Sequence, residues 1–340
     1  MATQAAEQFK LRHATLDDIP AVVELRNICS MEETGKPETD EARMRTRWCG
    51  PNFDPGRQVW LVQSPEGQLV GYGGVWHMPP HVRYWTWCTV HPDFRGQGIG
   101  TRLLNVTEDY CHQNLSQAPD GTRVIMMRGA NKTNPYAPDL FPANGYAQIR
   151  YDWFMVIDLN GVLPEPTWAD GVRVRTFVPE RDLEAVYDAD NEFFKDHWGY
   201  IPTPREDGLK QWQHWIENDP DFDPDVWFLA VTGEGDDEQI VGISLCAPKM
   251  AEDADMAYVE SLAVRREFRR KGIGLALLHH TFQAFAQRGN ARVALHVDAQ
   301  SLTGATRLYE RAGMHVEREY HDYEKELRAG QDLSTQTLSE

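Results

Sequence analysis

One glycine-rich pattern occurs twice in this chain, in a setting that suits the binding of a phosphate. Residues 90–104 read VHPDFRGQGIGTRLL and residues 264–278 read VRREFRRKGIGLALL, with Gly100 and Gly274 at matching positions. In each copy an apolar strand precedes Arg-x-x-Gly-x-Gly, which leads into an apolar helix. Unpaired N–H groups and the dipole at a helix start favour an anion, and glycine allows close approach of the backbone. The pattern predicts two diphosphate-binding turns.

Other interpretations of this pattern fit less well. The chain has no Gly-x-x-x-x-Gly-Lys-Ser/Thr loop, and the pattern lacks the third glycine of the dinucleotide fingerprint. A basic turn before an ordinary helix remains the alternative for either copy alone. Repetition with matching flanks, about one domain length apart, favours the binding function.

Composition narrows the class of protein. The 340 residues predict two domains or one large one, and 41% hydrophobic content is typical of a globular protein with a proper core. A net charge of −18 argues against a nucleic-acid partner and is compatible with a cationic substrate, or simply with solubility. Five scattered cysteines without Cys-x-x-Cys, and no membrane-length apolar run, predict a cytoplasmic protein without a structural metal site.

The two halves can be aligned beyond the glycine turn, which predicts a tandem repeat. Each half has a short strand, an acidic helix start, an Asp-Pro turn, a hairpin, and a strand before the glycine turn. The prediction is an α/β fold with a mixed sheet in each of two domains, 1–159 and 172–328. Residues 160–171 form a Gly- and Pro-containing linker, and residues 329–340 read as a disordered tail.

This order of elements resembles the GNAT superfamily of acetyl-CoA-dependent N-acetyltransferases. Residues 293–314, VALHVDAQSLTGATRLYERAGM, are similar to the family's later strand and its helix with Leu-Tyr. The resemblance covers nearly the whole chain as two tandem units, an arrangement that resembles mycothiol synthase and related two-domain acetyltransferases. The resemblance implies a binding site for acetyl-CoA, the cosubstrate, between two neighbouring strands. It also implies a small amine as acceptor and a protein that is a monomer or a homodimer.

By that resemblance, the strand before each turn binds the pantetheine arm through its backbone, and the turn holds the diphosphate. A polar side chain near the later helix also contacts the cofactor. In the second half these residues are Leu262, Ala263, Val264, Arg269, Arg270, Lys271, Gly272, Ile273, Gly274 and Ser301. In the first half they are Cys88, Thr89, Val90, Arg95, Gly96, Gln97, Gly98, Ile99 and Gly100.

Acetyl transfer to an amine requires a base and an acid. Glu260, two residues before Leu262, is the candidate base if burial raises its pKa; the alternative is a solvated strand residue. Tyr309 matches the Leu-Tyr position, where the phenol would protonate the leaving sulfur; the alternative is a core tyrosine. The sequence shows no Cys-His or Ser-His pair at a recognisable spacing that would indicate an acyl-enzyme. We therefore expect the amine to attack the thioester directly.

The first half departs from this pattern at the same positions. Phe141 aligns with Tyr309 and Thr86 aligns with Glu260, while Pro138 and Pro142 are expected to disrupt the helix. We therefore expect the first half to bind CoA or to be structural, and not to be the catalytic centre.

Acceptor recognition is expected in the aromatic segment 191–207. His197 and Trp198 are the candidate substrate-binding residues, whereas Phe193 and Phe194 are expected to be core. A CoA-binding regulatory protein with little turnover is the alternative function; the presence of both Tyr309 and Glu260 favours the enzyme. The identity of the amine is left open.

Overall fold

The structure, a computed structural model, describes residues 8–338. Over this range the chain forms twelve strands and nine α-helices. The strands are β1 (Lys10–His13), β2 (Val59–Gln63), β3 (Leu69–His77), β4 (Arg83–Val90), β5 (Val124–Asn131), β6 (Ala147–Asp158), β7 (Val172–Thr176), β8 (Phe228–Thr232), β9 (Gln239–Ala247), β10 (Met256–Val264), β11 (Arg292–Asp298) and β12 (His315–Arg328). The helices are α1 (Ile19–Thr34), α2 (Glu41–Trp48), α3 (Pro55–Gln58), α4 (Ile99–Gln113), α5 (Ala137–Ala143), α6 (Pro179–Phe194), α7 (Arg205–Asn218), α8 (Ile273–Arg288) and α9 (Ala305–Arg311).

The chain folds into two compact units, each with a mixed sheet. Unit 1 contains residues 8–150, 203–220 and 320–333, and its strand order is β1-β2-β3-β4-β5-β12. Unit 2 contains residues 151–202, 221–319 and 334–338, and its strand order is β7-β8-β9-β10-β11-β6. In each sheet one pair is parallel, β4–β5 or β10–β11, and the other pairs are antiparallel. The predicted α/β class with a mixed sheet in each unit is confirmed.

The compact units are not the contiguous stretches 1–159 and 172–328 expected from the repeat. In unit 2, β6 from the first half of the sequence pairs with β11, from Asp152↔Asp298 to Asp158↔Arg292. In unit 1, β12 from the second half pairs with β5 from Tyr320↔Asn131 onwards. Strand pairing uses backbone groups, which any strand of suitable register can supply. Sequence repetition therefore does not determine which strand completes which sheet.

The stretch 329–338 follows a defined course, in contrast to the disordered tail expected from its composition. In unit 1 the Gln331 N–H donates to the Gly121 carbonyl at 2.8 Å, and the Gln331 carbonyl accepts from Arg123 N–H at 2.9 Å. The amino-acid composition of this stretch could not predict its order, because the hydrogen-bond partners of Gln331 are backbone groups of residues distant in sequence. Residues 339 and 340 of the expected tail lie outside the described residues.

Strand β10 has helices packed on both faces. Leu262 and Val264 pack into the apolar cluster that contains α8, whereas the hydroxyl of Ser261, the residue before Leu262, donates to Asp190 of α6 at 2.6 Å. Helix α8 lies close to β9, because a Cβ on Gly242 would meet Leu277 Cδ1 at 3.0 Å. The residues of the glycine turn are thereby brought to the end of β10.

Both repeats begin with a corresponding ion pair, which is partly buried in unit 1 and more deeply buried in unit 2. Arg12 contacts Asp18 at 2.6 Å in unit 1, and Arg175 contacts Asp182 at 2.7 Å in unit 2. Burial acts to raise the pKa of Asp182, but hydrogen bonds from Arg181 and Arg175 outweigh it and lower that pKa to about 2. Because the folded state binds this proton more weakly than the unfolded state, the carboxylate stabilises the fold above pH 4.

We expect Asp182→Asn to lower the free energy of unfolding by about 1–3 kcal/mol at pH 7, because Arg175 and Arg181 lose a shared carboxylate, although Arg175 keeps its contact with Glu238. The difference from wild type should shrink as the pH falls from about 4 towards 2, where the wild-type carboxylate is protonated. Urea unfolding at several pH values measures this, with the exposed Glu180→Gln as control. A difference independent of pH would contradict the assignment.

Candidate active site between two diverging strands

A cavity of about 120 Å³ opens in unit 2 where β10 and β11 separate. The parallel pairs join Met256–Tyr258 to Arg292–Ala294; beyond them β10 pairs with β9, and β11 pairs with β6. The side chains around the opening come from both strands, from the segment after α6 and from α9. They are Phe194, His197, Trp198, Val259, Glu260, Leu262, Leu295, His296, Val297, Asp298, Ser301, Leu302, Ala305 and Tyr309. The structure thus brings both predicted catalytic residues to one cavity.

Glu260 is placed in the cavity wall by an irregularity of β10. The pairing with β9 shifts between Val259 and Ser261, so that Glu260 is the extra residue of a β-bulge. A bulge changes the direction of a side chain, and Glu260 lines the opening together with Val259 and Leu262. The expected burial of Glu260 is wrong, because the residue is exposed at the cavity. A proton acceptor at this point is accessible to an incoming amine.

Tyr309, on α9, also lines the cavity. Its side chain is 7% exposed and belongs to the apolar cluster around α8. Burial raises the pKa of the phenol, so the hydroxyl keeps its proton at neutral pH. The phenol therefore carries a proton that it can donate, while the raised pKa makes it a weaker acid than an exposed tyrosine.

The segment after α6 supplies the aromatic wall of the cavity. Phe193 is buried in the core as predicted, whereas Phe194, expected to be core, lines the cavity beside His197 and Trp198. The Phe194 and His197 rings lie 4.2 Å apart between centroids. Burial, and then the positive charge of Arg269, lowers the pKa of His197 to about 4, so its ring is neutral at pH 7.

The glycine turn of unit 2 has the backbone expected for an anion-binding helix start. Gly272 caps α8 with φ +84°, and Arg270 also has a positive φ of +63°. Helix α8 starts at Ile273, with Gly274 in its first turn, and Arg270 and Lys271 are exposed. These residues leave backbone N–H groups and two cationic side chains near the end of β10.

Arg269 has a different environment from that expected of a phosphate ligand. Its guanidinium donates to the Val264 carbonyl at 3.0 Å, to the Phe193 carbonyl at 2.9 Å and to Asp196 at 2.5 Å. The side chain therefore braces the glycine turn against the end of α6. Its charge still contributes to the positive potential of the turn.

The remaining predicted contacts of unit 2 lie at the same end of the sheet. Leu262 lines the cavity, Ala263 is buried on the opposite face of β10, and Val264 ends the strand. Ser301 also lines the cavity, and its hydroxyl accepts from the Ala305 N–H at 3.4 Å at the start of α9. Of these four residues, Leu262 and Ser301 therefore line the cavity itself.

Two polar residues of the cavity were missed by the sequence interpretation. His296 and Asp298 lie on β11, and the Tyr258 hydroxyl is 2.8 Å from His296 Nδ1. His296 is exposed at the cavity, but the protein atoms around its ring reduce its hydration, and this, and then the charge of Arg318, lowers its pKa to about 4. Their position at the carboxyl end of a parallel strand is a signal that sequence could have offered, because ligands bind at such ends.

Unit 1 has a filled space at the corresponding place. Tyr84 pairs with Met126 as Tyr258 pairs with Ala294, so Arg128 occupies the position of His296. Arg128 is 2% exposed and donates to the Thr86 hydroxyl at 2.8 Å. Its guanidinium also lies 5.1 Å from the centre of the Phe141 ring. A guanidinium and an aromatic ring thus take the place of the polar cavity residues of unit 2.

The helix of unit 1 that carries Phe141 forms despite its prolines. Helix α5 has seven residues, as many as α9, with Pro138 in its first turn and Pro142 near its end. The expected disruption of this helix is wrong: Pro138 lies in the first turn, where no helical hydrogen bond is lost, and Pro142 removes one only near the end of the helix.

The glycine turn of unit 1 repeats that of unit 2. Gly96 and Gly98 have φ of +74° and +82°, Gly98 caps α4, and Ile99 and Gly100 begin that helix. Arg95 donates to the Val90 carbonyl at 3.3 Å and pairs with Glu32 at 2.6 Å.

Other predicted residues of unit 1 lie on both sides of this turn. The Cys88 sulfur accepts from Arg128 at 3.5 Å, Thr89 and Val90 end β4, and Gln97 lies within the turn. The predicted binding residues therefore form a turn and strand end of the same kind, next to a filled space.

Comparison with known proteins identifies the family. The acetyltransferase (GNAT) family matches residues 20–146 and 183–314. The chain belongs to the GNAT family. A mycothiol acetyltransferase of Thermobispora bispora is 30% identical over 302 residues, which cover 88% of this chain and 93% of that protein. A mycothiol acetyltransferase of Pseudarthrobacter chlorophenolicus is 26% identical over 294 residues, covering 83% and 84% of the two chains.

Solved structures show the same fold. A GCN5-related N-acetyltransferase from Sphaerobacter thermophilus has a TM-score of 0.78 and 34% identity, with coverage of 97% of this chain and 99% of that one. A tandem GNAT protein from the clavulanic acid biosynthesis pathway has a TM-score of 0.65 and 15% identity over 94% and 98% of the chains. The predicted tandem GNAT family and enzyme class, an acyltransferase, are confirmed.

Residues 8–338 contain neither a metal-binding cluster nor a membrane-spanning helix. In this range no group of three or more His, Cys, Asp and Glu side chains is arranged to hold a metal ion. Within the same residues, no helix has both the length and the apolar character needed to cross a membrane.

We expect His197 to titrate with a pKa near 4 in the folded protein, because burial and Arg269 disfavour its charged form. NMR of histidine-labelled protein between pH 4 and 8 measures this, with His197→Gln identifying the resonance. The resonance should be that of a neutral ring from pH 8 down to about pH 5. Titration near 6.5, the ordinary value, would show that the segment 194–198 does not bury the ring.

Proposed function

We propose that this GNAT protein transfers the acetyl group of acetyl-CoA to a primary amine of a small molecule, in unit 2 and by direct attack. The observation that carries the proposal is the cavity between β10 and β11, where Glu260 and Tyr309 face one opening next to the glycine turn. The similarity to proteins named mycothiol acetyltransferase supports acetyl as the transferred group. It also makes an enzyme of that kind an alternative within the same chemistry.

The site fits acetyl-CoA because β10 and β11 diverge. Backbone groups of β10 that do not pair with β11 are left facing a space that can receive the narrow pantetheine arm. When bound there, acetyl-CoA supplies an activated thioester carbonyl. In this proposal Leu262, Ala263 and Val264 bind the pantetheine arm through their backbone. Arg270, Lys271, Gly272, Ile273 and Gly274 hold the diphosphate, Arg269 braces the turn, and Ser301 is a further contact.

The protein's own groups account for both proton movements. Glu260, exposed at the cavity, takes the proton of the acceptor ammonium directly or through one water. The free amine nitrogen forms a bond to the carbonyl carbon, the carbon–sulfur bond breaks, and its electron pair goes to sulfur. The Tyr309 phenol, which keeps its proton at neutral pH, donates that proton to the sulfur. The new amide nitrogen then releases its extra proton, which restores the phenol through water. Neutral His197 and Trp198 contact the acceptor without repelling a cation.

Unit 1 is proposed to be non-catalytic. Arg128, Thr86 and Phe141 stand where unit 2 has His296, Glu260 and Tyr309, so the proton acceptor and donor are missing. Its turn, with Arg95, Gly98 and Gly100, retains a backbone suited to a diphosphate, so CoA binding without turnover is the proposed capacity of this unit. Reaction in the cytoplasm is supported by Cys29, Cys49, Cys88, Cys111 and Cys246, which are all free thiols.

Two measurements test this function directly. Calorimetry with CoA tests binding, and a thiol-release assay with acetyl-CoA and a panel of amines tests turnover. The panel contains glucosamine, the amine named for a GNAT region of a fungal enzyme with a similar fold, together with aminoacyl amides. Binding without thiol release for any amine would favour the alternative of a CoA-binding regulatory protein. Absence of binding at millimolar CoA would refute both.

We expect Tyr309→Phe to lower kcat about 10²–10³-fold, because the leaving thiolate loses its proton donor. The KM for acetyl-CoA should change less than about twofold, since the aromatic ring still packs in the cluster around α8. Steady-state thiol release measures both constants. Tyr146→Phe, which removes the hydroxyl of a buried tyrosine in unit 1, is the matched control and should retain wild-type kcat. Equal activity of Tyr309→Phe and wild type would rule out the acid assignment.

We expect Glu260→Gln to lower kcat/KM about 10²–10⁴-fold at pH 7, because an amide cannot take the proton of the ammonium. The variant should also lose part of the pH dependence: its rate should rise with pH only as the free amine becomes available in solution. Rate profiles from pH 5 to 10 measure this, with exposed Glu234→Gln in the β8–β9 connection as control. A profile with the shape of wild type would assign the base elsewhere.

A further inference from the structure

The last described residues of the chain lie against the aromatic wall of the cavity. Within unit 2, the Thr335 carbonyl accepts from Gly199 N–H at 2.7 Å, and the Thr335 N–H donates to the Tyr200 carbonyl at 2.9 Å. The Thr335 hydroxyl also donates to the Lys195 carbonyl at 3.0 Å. Thr335 thus makes three hydrogen bonds to backbone groups of residues 195–200. These contacts do not depend on the side chains of that segment.

A fourth hydrogen bond fixes the tryptophan that lines the cavity. The Trp198 Nε1–H donates to Gln336 Oε1 at 3.0 Å. The indole has one polar atom, so a single acceptor selects among its ring orientations and leaves the apolar faces for the cavity. His197, its neighbour, is held in the same turn, where its N–H donates to the Phe194 carbonyl at 2.9 Å.

The same segment is anchored at its other end by the glycine turn. Arg269 donates to the Phe193 carbonyl and to Asp196, whose side chain is 10% exposed. Residues 193–200 are therefore held by Arg269 on one side and by Thr335 and Gln336 on the other. Between these anchors the segment is a short turn, whose order depends on such contacts because ordering each residue costs entropy.

We propose that Thr335 and Gln336 are positioning residues for acceptor binding, acting through Trp198 and His197. They hold the aromatic wall at the cavity, so that the acceptor meets a preformed surface and does not have to order it. The effect on acceptor affinity rests on the proposed acetyl transfer, whereas the effect on the order of residues 195–200 does not. No direct contact of either residue with the reacting atoms is involved.

Hydrogen–deuterium exchange of full-length protein tests the structural part. Thr335→Pro removes the N–H that Tyr200 accepts, and Thr337→Pro makes the same change two residues later, at an exposed position. We expect exchange in the peptide covering residues 195–200 to accelerate at least about tenfold in Thr335→Pro, and to be unchanged in Thr337→Pro. Equal exchange in Thr335→Pro and wild type would overturn the proposal, as would equal acceleration in both variants.

Kinetics of two substitutions at Gln336 test the functional part. Gln336→Met keeps the length of the side chain without an acceptor, while Gln336→Glu keeps an oxygen for the Trp198 Nε1–H. With glucosamine, or glycine amide where glucosamine is not turned over, we expect Gln336→Met to raise the amine KM about threefold to tenfold. The KM for acetyl-CoA should stay within twofold, and Gln336→Glu should resemble wild type.

The outcomes separate this inference from the proposed function. Equal amine KM values for Gln336→Met and Gln336→Glu would overturn the positioning role of Gln336. A parallel rise of both KM values in Gln336→Met would indicate a general structural defect and would also overturn it. If wild-type protein releases no thiol with either amine, the proposed function fails with them, and the exchange experiment alone decides whether Thr335 orders the segment.

Discussion

The separation of β10 from β11 is the constraint on which the site of unit 2 depends. Where two parallel strands part, each loses a row of backbone hydrogen bonds that must be replaced. Here β9 pairs with β10 as far as Val264, and β6 pairs with β11 as far as Asp298. Each strand thus keeps one fully paired side while the other side opens. The β-bulge at Glu260 and the polar end of β11 then line an opening whose backbone is stable.

Each unit contains one strand that comes from the other half of the sequence, and β6, which supports the opening, is one of these two strands. The strand that supports β11 comes from the first half of the sequence, and the strand that pairs with β5 in unit 1 comes from the second. Neither half therefore completes its own sheet. Either half of the sequence by itself would therefore lack one strand of its unit, β12 in the first case and β6 in the second.

The two glycine turns show what the repeated arginine does. Arg95 and Arg269 each donate through Nε to the carbonyl of the last residue of the preceding strand, Val90 or Val264. Each also pairs with a carboxylate, Glu32 or Asp196. The first arginine of Arg-x-x-Gly-x-Gly is thus a structural brace that keeps the turn at the strand end. The two units differ beyond the turn, where Arg128 fills the space that remains open beside His296.

Local sequence patterns were sufficient to predict many features of this protein. The turns at Gly98 and Gly272, the helices after them and the placement of Tyr309 on α9 depend on neighbours within a few residues, and such features can be predicted from periodicity and motif. Tertiary structure alone decided which strand completes each sheet and that Glu260 is exposed on a bulge. It also decided that Arg269 pairs with Asp196, and that Gln336 accepts from Trp198. These depend on backbone register and on contacts between residues 73 and 138 positions apart, which no local pattern encodes.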